Sequence, residues 1–304
     1  MSLPAIAALL LLLLGAPIVP GIISRTKSIL TGRRGPPAWQ LYADLVKLGQ
    51  RGIVYSTTTT LVFRLAPVVL IASTMAAALL VPLDGEASLL RFTGDAVAFA
   101  YLLALGRFVM VLAALDTGSS FEGMGASREV TFAGFVEPGI FVAFAALGVM
   151  AHDSSLSAML GRTAAAAPGV VAVAPSVMVA LSLFVLALAE CSRVPVDDPA
   201  THLELTMVHE VMVLDHSGPD FAMILYASAL KLAVFAAIIV NVLIPDPGPD
   251  GWWGLFVLLG SFLIVGSAIG IVESVMARLR LPRIPLYIAA GSALALFGLI
   301  LLLR

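Results

Sequence analysis

The chain has 304 residues, 60% of them hydrophobic and 12% charged, with a formal net charge of −2 and a mean hydropathy of +1.05. A soluble domain carries about 25% charged residues, so the deficit places this protein in the membrane class. The small net charge leaves no nucleic-acid footprint. The single cysteine, Cys191, excludes an intrachain disulfide and any cysteine-ligated zinc or iron–sulfur site built by this chain alone.

A spanning helix needs about 20 mostly apolar residues. Eight segments qualify: Leu3–Ile23, Leu61–Val81, Ala96–Leu115, Phe132–Met150, Val170–Ala189, Phe221–Ile244, Trp252–Val272 and Ile284–Leu303. The expected fold class is an all-α integral membrane protein of one polytopic domain. The first segment lacks a basic n-region, and Arg25, Lys27, Arg33 and Arg34 follow it rather than precede it. It reads as a retained span and not as a signal peptide.

Between the first and second spans, 36-PPAWQLYADLVKLGQ-50 places Trp39, Leu41, Tyr42, Leu45, Val46 and Leu48 on one helical face. That pattern predicts an interfacial helix, with a solvated loop as the plain alternative. The connections 82–95 and 245–251 hold Pro, Gly and Asp and read as short turns. Lysine and arginine sort the two sides. Arg25, Lys27, Arg33, Arg34, Lys47, Arg51, Arg64, Arg128, Arg193, Arg278, Arg280 and Arg283 share one side; Arg91, Arg162 and Arg304 fall on the other. The positive-inside rule then puts both termini outside the cytoplasm.

Several ionisable residues fall inside the spans or at their edges: Arg107, Glu137, Glu190, Lys231 and Glu273. A charge at a helix centre costs about +2.5 to +3.5 kcal/mol on insertion scales. The cost is avoided where such groups meet one another, water or a partner helix. The three glutamates lie close to span ends, where snorkelling competes with a functional role. Arg107 and Lys231 lie deeper.

The most charged connection begins 190-ECSRVPVDDPATHLE-204. Asp198 before Pro199 reads as an N-cap with proline at the first helical position. The segment 199–218 then predicts an amphipathic helix. Leu203, Met207, Val211 and Leu214 lie on one face; His202, Thr206, His209 and Glu210 lie largely on another. Gly218 and Pro219 are expected to end it. His202, His209 and His216 are seven apart, whereas metal ligands on one helix sit three or four apart. They read as protonatable groups or as a plain polar stripe, and no metal site is expected.

The run 188-LAECSRVPVDDPATHLELTMVHEVMVLDHSGPDFAMILYASALKLAVF-235 resembles the signature of the respiratory complex I subunit 1 family, in the branch of formate hydrogenlyases and other membrane-bound group 4 nickel–iron hydrogenases. Three further stretches agree: 32-GRRGPPAWQLYADLVKL-48, 126-ASREVTFAGFVEP-138 and 278-RLRLPRIPLY-287. The resemblance implies an eight-helix membrane subunit whose cytoplasmic loops dock a hydrophilic redox arm. It implies a buried carboxylate path that links this arm to ion movement. By position it points to Glu137, Glu190, Glu204, Glu210, Lys231 and Glu273 as the relay. It points to Arg34, Arg128, Glu129, Arg193, Asp197, Asp198, His202, His209 and Asp215 as docking or cavity residues.

The resemblance further implies a non-catalytic subunit of an oxidoreductase complex in the inner (cytoplasmic) membrane. The expected partners are hydrogenase-like large and small subunits, a ferredoxin-like iron–sulfur subunit and antiporter-like membrane subunits. The nickel–iron centre and iron–sulfur clusters would sit on those partners, with no cofactor in this chain. The alternatives are a quinone-site subunit of an NADH:quinone oxidoreductase-like complex and a purely structural anchor. Two departures set the chain apart from the quinone branch: 215-DHSG-218 stands for Glu-Tyr-Ser-Gly, and 35-GPPAWQ-40 stands where Gly-Pro-Asn is usual.

Overall fold

The computed structural model describes residues 3–83, 88–160, 170–197, 207–244 and 252–303. All regular structure among them is helical. The helices are α1 (Leu3–Gly15), α2 (Ile18–Leu30), α3 (Gln40–Gly49), α4 (Leu61–Leu79), α5 (Asp95–Asp116), α6 (Ser120–Ala151) and α7 (Leu156–Leu160). They continue with α8 (Val170–Glu190), α9 (His209–Met212), α10 (Gly218–Leu243), α11 (Trp252–Val275) and α12 (Ile284–Leu302). Seven are long and apolar enough to cross a membrane, and α1 with α2, bent by 52° at their junction, make an eighth.

The bundle forms around α10. Most of this helix is enclosed, with an unbroken buried run from Leu232 to Val240. Helix α10 packs on α4, α8 and α11, while α12 packs against α6 and α8. A helix apolar on all sides must be buried or face lipid, and α10 takes the interior place.

The bend in the first span has a definite chemistry. Pro17 has no N–H to give to the Leu13 carbonyl, and inside a bilayer a freed carbonyl needs another donor. The Tyr226 hydroxyl donates to Leu13 O at 2.9 Å, and the Tyr42 hydroxyl donates to Leu14 O. The second of these bonds also fixes α3 against the bend. Segment 35–38 runs back along α2 so closely that a Cβ on Gly21 would lie 1.9 Å from the Ala38 carbonyl oxygen.

Two expectations change. The span expected at Phe132–Met150 is the inner part of a 32-residue helix, α6. At 1.5 Å per residue it is about 48 Å long, so its first turns project past a hydrocarbon core about 30 Å thick. The amphipathic helix expected over 199–218 does not form over 207–217. Asp198, His202 and Glu204 lie outside the described residues. Beyond them the chain makes one helical turn, α9, because the Asp197 carboxylate accepts the Val208 and His209 N–H groups at 3.3 and 3.0 Å. Gly218 and Pro219 start α10 instead of ending a helix. Pro219 suits the first turn, whose N–H groups have no helical partner. Gly218 has φ 55°, and a Cβ there would also meet the Gly52 carbonyl at 2.8 Å.

Candidate functional site

Four helices bring five ionisable side chains together within the bundle. Arg107 of α5 is the hub. Its Nη2 binds a Glu190 carboxylate oxygen, its Nη1 lies 2.6 Å from Glu137 Oε1, and its Nε lies 3.5 Å from Glu129 Oε1. Glu129 and Glu137 are eight residues apart on α6, which places them on neighbouring parts of one helix surface. Lys231 of α10 donates to the Glu190 main-chain carbonyl at 2.6 Å and lies 3.5 Å from its carboxylate. A cation is well placed there, because the last carbonyls of a helix have no helical donor and carry partial negative charge.

The cluster is nearly dry. Side-chain exposure is 9% for Arg107 and 3% for Glu190, against 40% for Glu137, which faces the edge of the bundle. Burying one such charge alone would be costly, and mutual pairing removes most of that cost. Three carboxylates meet two cations, so the set keeps one unit of negative charge unless a proton is bound.

Polar space reaches the cluster from the loops. A cavity of about 140 Å³ is lined by Arg193, Asp197, His209, Glu210 and Lys231 together with Pro20 and Leu41. A second, of about 30 Å³, shares His209 and Lys231 with the first and touches Arg107 and Glu129. A third, of about 10 Å³, touches Arg107, Glu129, Glu190 and Asp197. A water needs about 10–15 Å³ of such space, so the inner two hold one to a few waters. Burial, followed by the Lys231 charge, pushes the His209 imidazole down to about 4, so this cavity wall is neutral at cytoplasmic pH. Burial likewise pushes the Cys191 thiol up to about 12, which makes it an inert wall group.

The other expected site residues separate into distinct sets. Glu273 is not in the Arg107 cluster; Lys27 Nζ lies 2.9 Å and Arg193 Nη1 3.6 Å from its oxygens. Asp197 pairs with Arg278 at 2.9 Å in addition to capping α9. Arg128 donates to the Met207 carbonyl at 2.9 Å and so ties α6 to the loop. Arg34 and Asp215 are exposed, and Glu210 faces the large cavity.

Two groups escaped the sequence reading. Glu122 is 2% exposed beside Thr117 and Asp215. In sequence it looks like an ordinary acid in a helix's first turn. His216 stacks flat on Phe63, with ring centroids 4.0 Å apart, and burial holds it down to about 4. Arg107 was visible as a buried charge, but nothing local marked it as the hub.

The sequence pattern of the NADH dehydrogenase family matches residues 3–303. Hydrogenase-4 component C of Escherichia coli (strain K12) is 34% identical over 241 residues, covering 79% of this chain and 75% of that one. Formate hydrogenlyase subunit 4 of the same organism is 31% identical over 309 residues, covering 99% and 98%. An NADH-quinone oxidoreductase membrane protein from Ruthia magnifica subsp. Calyptogena magnifica is 27% identical over 216 residues, covering 68% and 58%. A chain of the membrane-bound sulfane sulfur reductase, an archaeal respiratory membrane complex, superposes with a TM-score of 0.83 at 20% identity, covering 99% of this chain and 98% of that one, and so shares the fold. A family pattern spanning the whole bundle, and relatives this similar over most of their length, leave one assignment: the chain belongs to the NADH dehydrogenase subunit 1 family.

Proposed function

We propose that this chain is the membrane-anchoring and ion-coupling subunit of a hydrogenase or formate hydrogenlyase-type complex of the cytoplasmic membrane. The observation that carries this reading is the Arg107–Glu129–Glu137–Glu190–Lys231 cluster, buried in the bundle and joined to the loop cavity through Lys231 and His209. The names of the two Escherichia coli relatives support the type of complex.

In this reading the positive loops face the cytoplasm and both termini lie outside it. Arg34, Asp215 and the segment holding Asp198, His202 and Glu204 dock the hydrophilic arm. Arg128 and Asp197 hold the docking loop in shape. The arm carries the nickel–iron and iron–sulfur centres on large, small and ferredoxin-like subunits, and antiporter-like subunits adjoin in the membrane. A redox change in the arm alters the field at the cavity. Glu210 and Lys231 pass that change to Glu190, and Arg107 spreads it to Glu129 and Glu137. Glu273 joins through Arg193, which lines the same cavity. Charge is redistributed among carboxylates that share cations, so the chain answers electron flow without carrying an electron.

The test is Glu190→Gln in the assembled complex. Hydrogen turnover and ion movement are measured together in membrane vesicles. Retained turnover with a fallen ratio of ions moved per turnover is expected. An unchanged ratio removes Glu190 from the path and leaves the purely structural anchor.

A further inference from the structure

The ion that this relay passes is decided at Arg107. The guanidinium occupies the point where the three carboxylates converge, with a separate nitrogen against each of Glu129, Glu137 and Glu190. Lys231 covers Glu190 from the side of the large cavity. A hard metal cation is held by a shell of several oxygens. Here the shell's centre is filled by a cation fixed to the protein. The space beside it is about 30 Å³ in one cavity and about 10 Å³ in the other. That is room for a few waters at most, too little for a metal ion that brings its own hydration shell.

A proton has neither requirement. It binds one carboxylate oxygen, occupies no further volume, and moves along water and carboxyl oxygens. Three carboxylates against two cations leave one negative charge, which one proton neutralises.

We infer that the cluster passes protons and excludes sodium, and that Arg107 is the residue that sets this selectivity by occupying the cation position. The inference rests on the relay reading above and adds the identity of the ion. Sodium dependence elsewhere in the complex, on neighbouring membrane subunits, is compatible with it.

The probe is radioactive ²²Na⁺, counted per purified, assembled complex at equilibrium. Wild type is compared with Glu190→Gln, Arg107→Gln and Arg107→Lys. Wild type and Glu190→Gln should bind the same number of sodium ions, because no sodium sits on Glu190. Arg107→Gln vacates the centre and leaves three carboxylates and an amide oxygen facing one another, so it should gain one sodium per complex. Arg107→Lys keeps a cation there and should gain none.

Loss of one sodium in Glu190→Gln relative to wild type overturns the inference. So does an assembled Arg107→Gln complex that gains none, or an Arg107→Lys complex that gains one. If Arg107→Gln does not assemble, the comparison of wild type with Glu190→Gln still decides whether the site is a sodium site. The parent reading fails separately: an unchanged coupling ratio in Glu190→Gln sinks the relay whatever the sodium counts are.

Discussion

Lys231 and Glu190 are 41 residues apart, yet the lysine ammonium sits 2.6 Å from the glutamate's own carbonyl and 3.5 Å from its carboxylate. One cation thus closes the end of α8 and also neutralises the side chain that ends it. The same carboxylate is held from the opposite side by Arg107. Glu190 is therefore the point through which α5, α8 and α10 are electrically joined.

That relationship predicts strong non-additivity. Lys231→Met leaves Glu190 with one cation fewer in a dry site, and breaking a buried pair costs about 3–5 kcal/mol. Glu190→Gln removes the charge that Lys231 answers. The double variant should therefore recover at least about 1 kcal/mol relative to the sum of the singles. Thermal unfolding of the detergent-solubilised complex measures this. Simple addition of the two effects would show that the pair is not coupled.

The tyrosine caps on the bent first span predict a rescue. Tyr226→Phe removes the donor from the Leu13 carbonyl at the break made by Pro17. An unsatisfied buried acceptor costs about 1–3 kcal/mol. Pro17→Ala restores a main-chain N–H in the right place, so the double variant should regain stability relative to Tyr226→Phe alone. The readout is again the unfolding temperature. Equal stability of Tyr226→Phe and wild type would show that water already serves that carbonyl.

Acid sensitivity follows from His216. Its folded value of about 4 lies below the ordinary 6.5, because burial against Phe63 disfavours the charged ring. The unfolded chain then takes up the proton first. Stability is flat above about pH 7 and falls as pH drops from about 6.5 toward 4, by as much as about 3 kcal/mol from this group. His209, lowered by burial and by Lys231, acts in the same direction. His216→Phe keeps a flat ring on Phe63 and should flatten the acid limb of a stability-against-pH curve. An unchanged acid limb would assign the loss to other groups.

Asp197 offers a graded pair of variants. Its carboxylate binds Arg278 and accepts two main-chain N–H groups that shape α9. Asp197→Asn keeps an acceptor for one N–H but loses the ion pair; Asp197→Ala loses both. The alanine variant should assemble less complex than the asparagine variant, with a difference of about 1–3 kcal/mol in unfolding free energy. Quantitative recovery of co-purifying subunits checks the order. Equal recovery would mean that the capping bonds do not hold the loop.

Much of the architecture is legible in the residues alone, and the reasons are physical. Long apolar runs have one stable environment, so the spans can be placed to within a few residues, as Leu61–Leu79 and Trp252–Val275 illustrate. Helix α3 is visible because its apolar residues recur at helical spacing around one face. The failure over 207–217 is equally instructive. Helical periodicity is present there, but Asp197 captures the N–H groups of Val208 and His209, and a tertiary cap outweighs local propensity. Glycine before proline is ambiguous in sequence. It can close one helix or open the next, and only the approach of Gly52 shows which applies at Gly218.

By itself the sequence determined that the chain lives in a bilayer and that a few charges must be buried and mutually satisfied, since hydrocarbon tolerates neither bare backbone nor a lone ion. The tertiary structure alone decided which groups satisfy which. Arg107 meets partners 22, 30 and 83 residues away in the chain, and such pairings depend on the relative placement of α5, α6, α8 and α10. Spacing along one helix carries no information about a neighbour's rotation or depth. The hub of the cluster was therefore set by packing, while the need for a cluster was written in the composition.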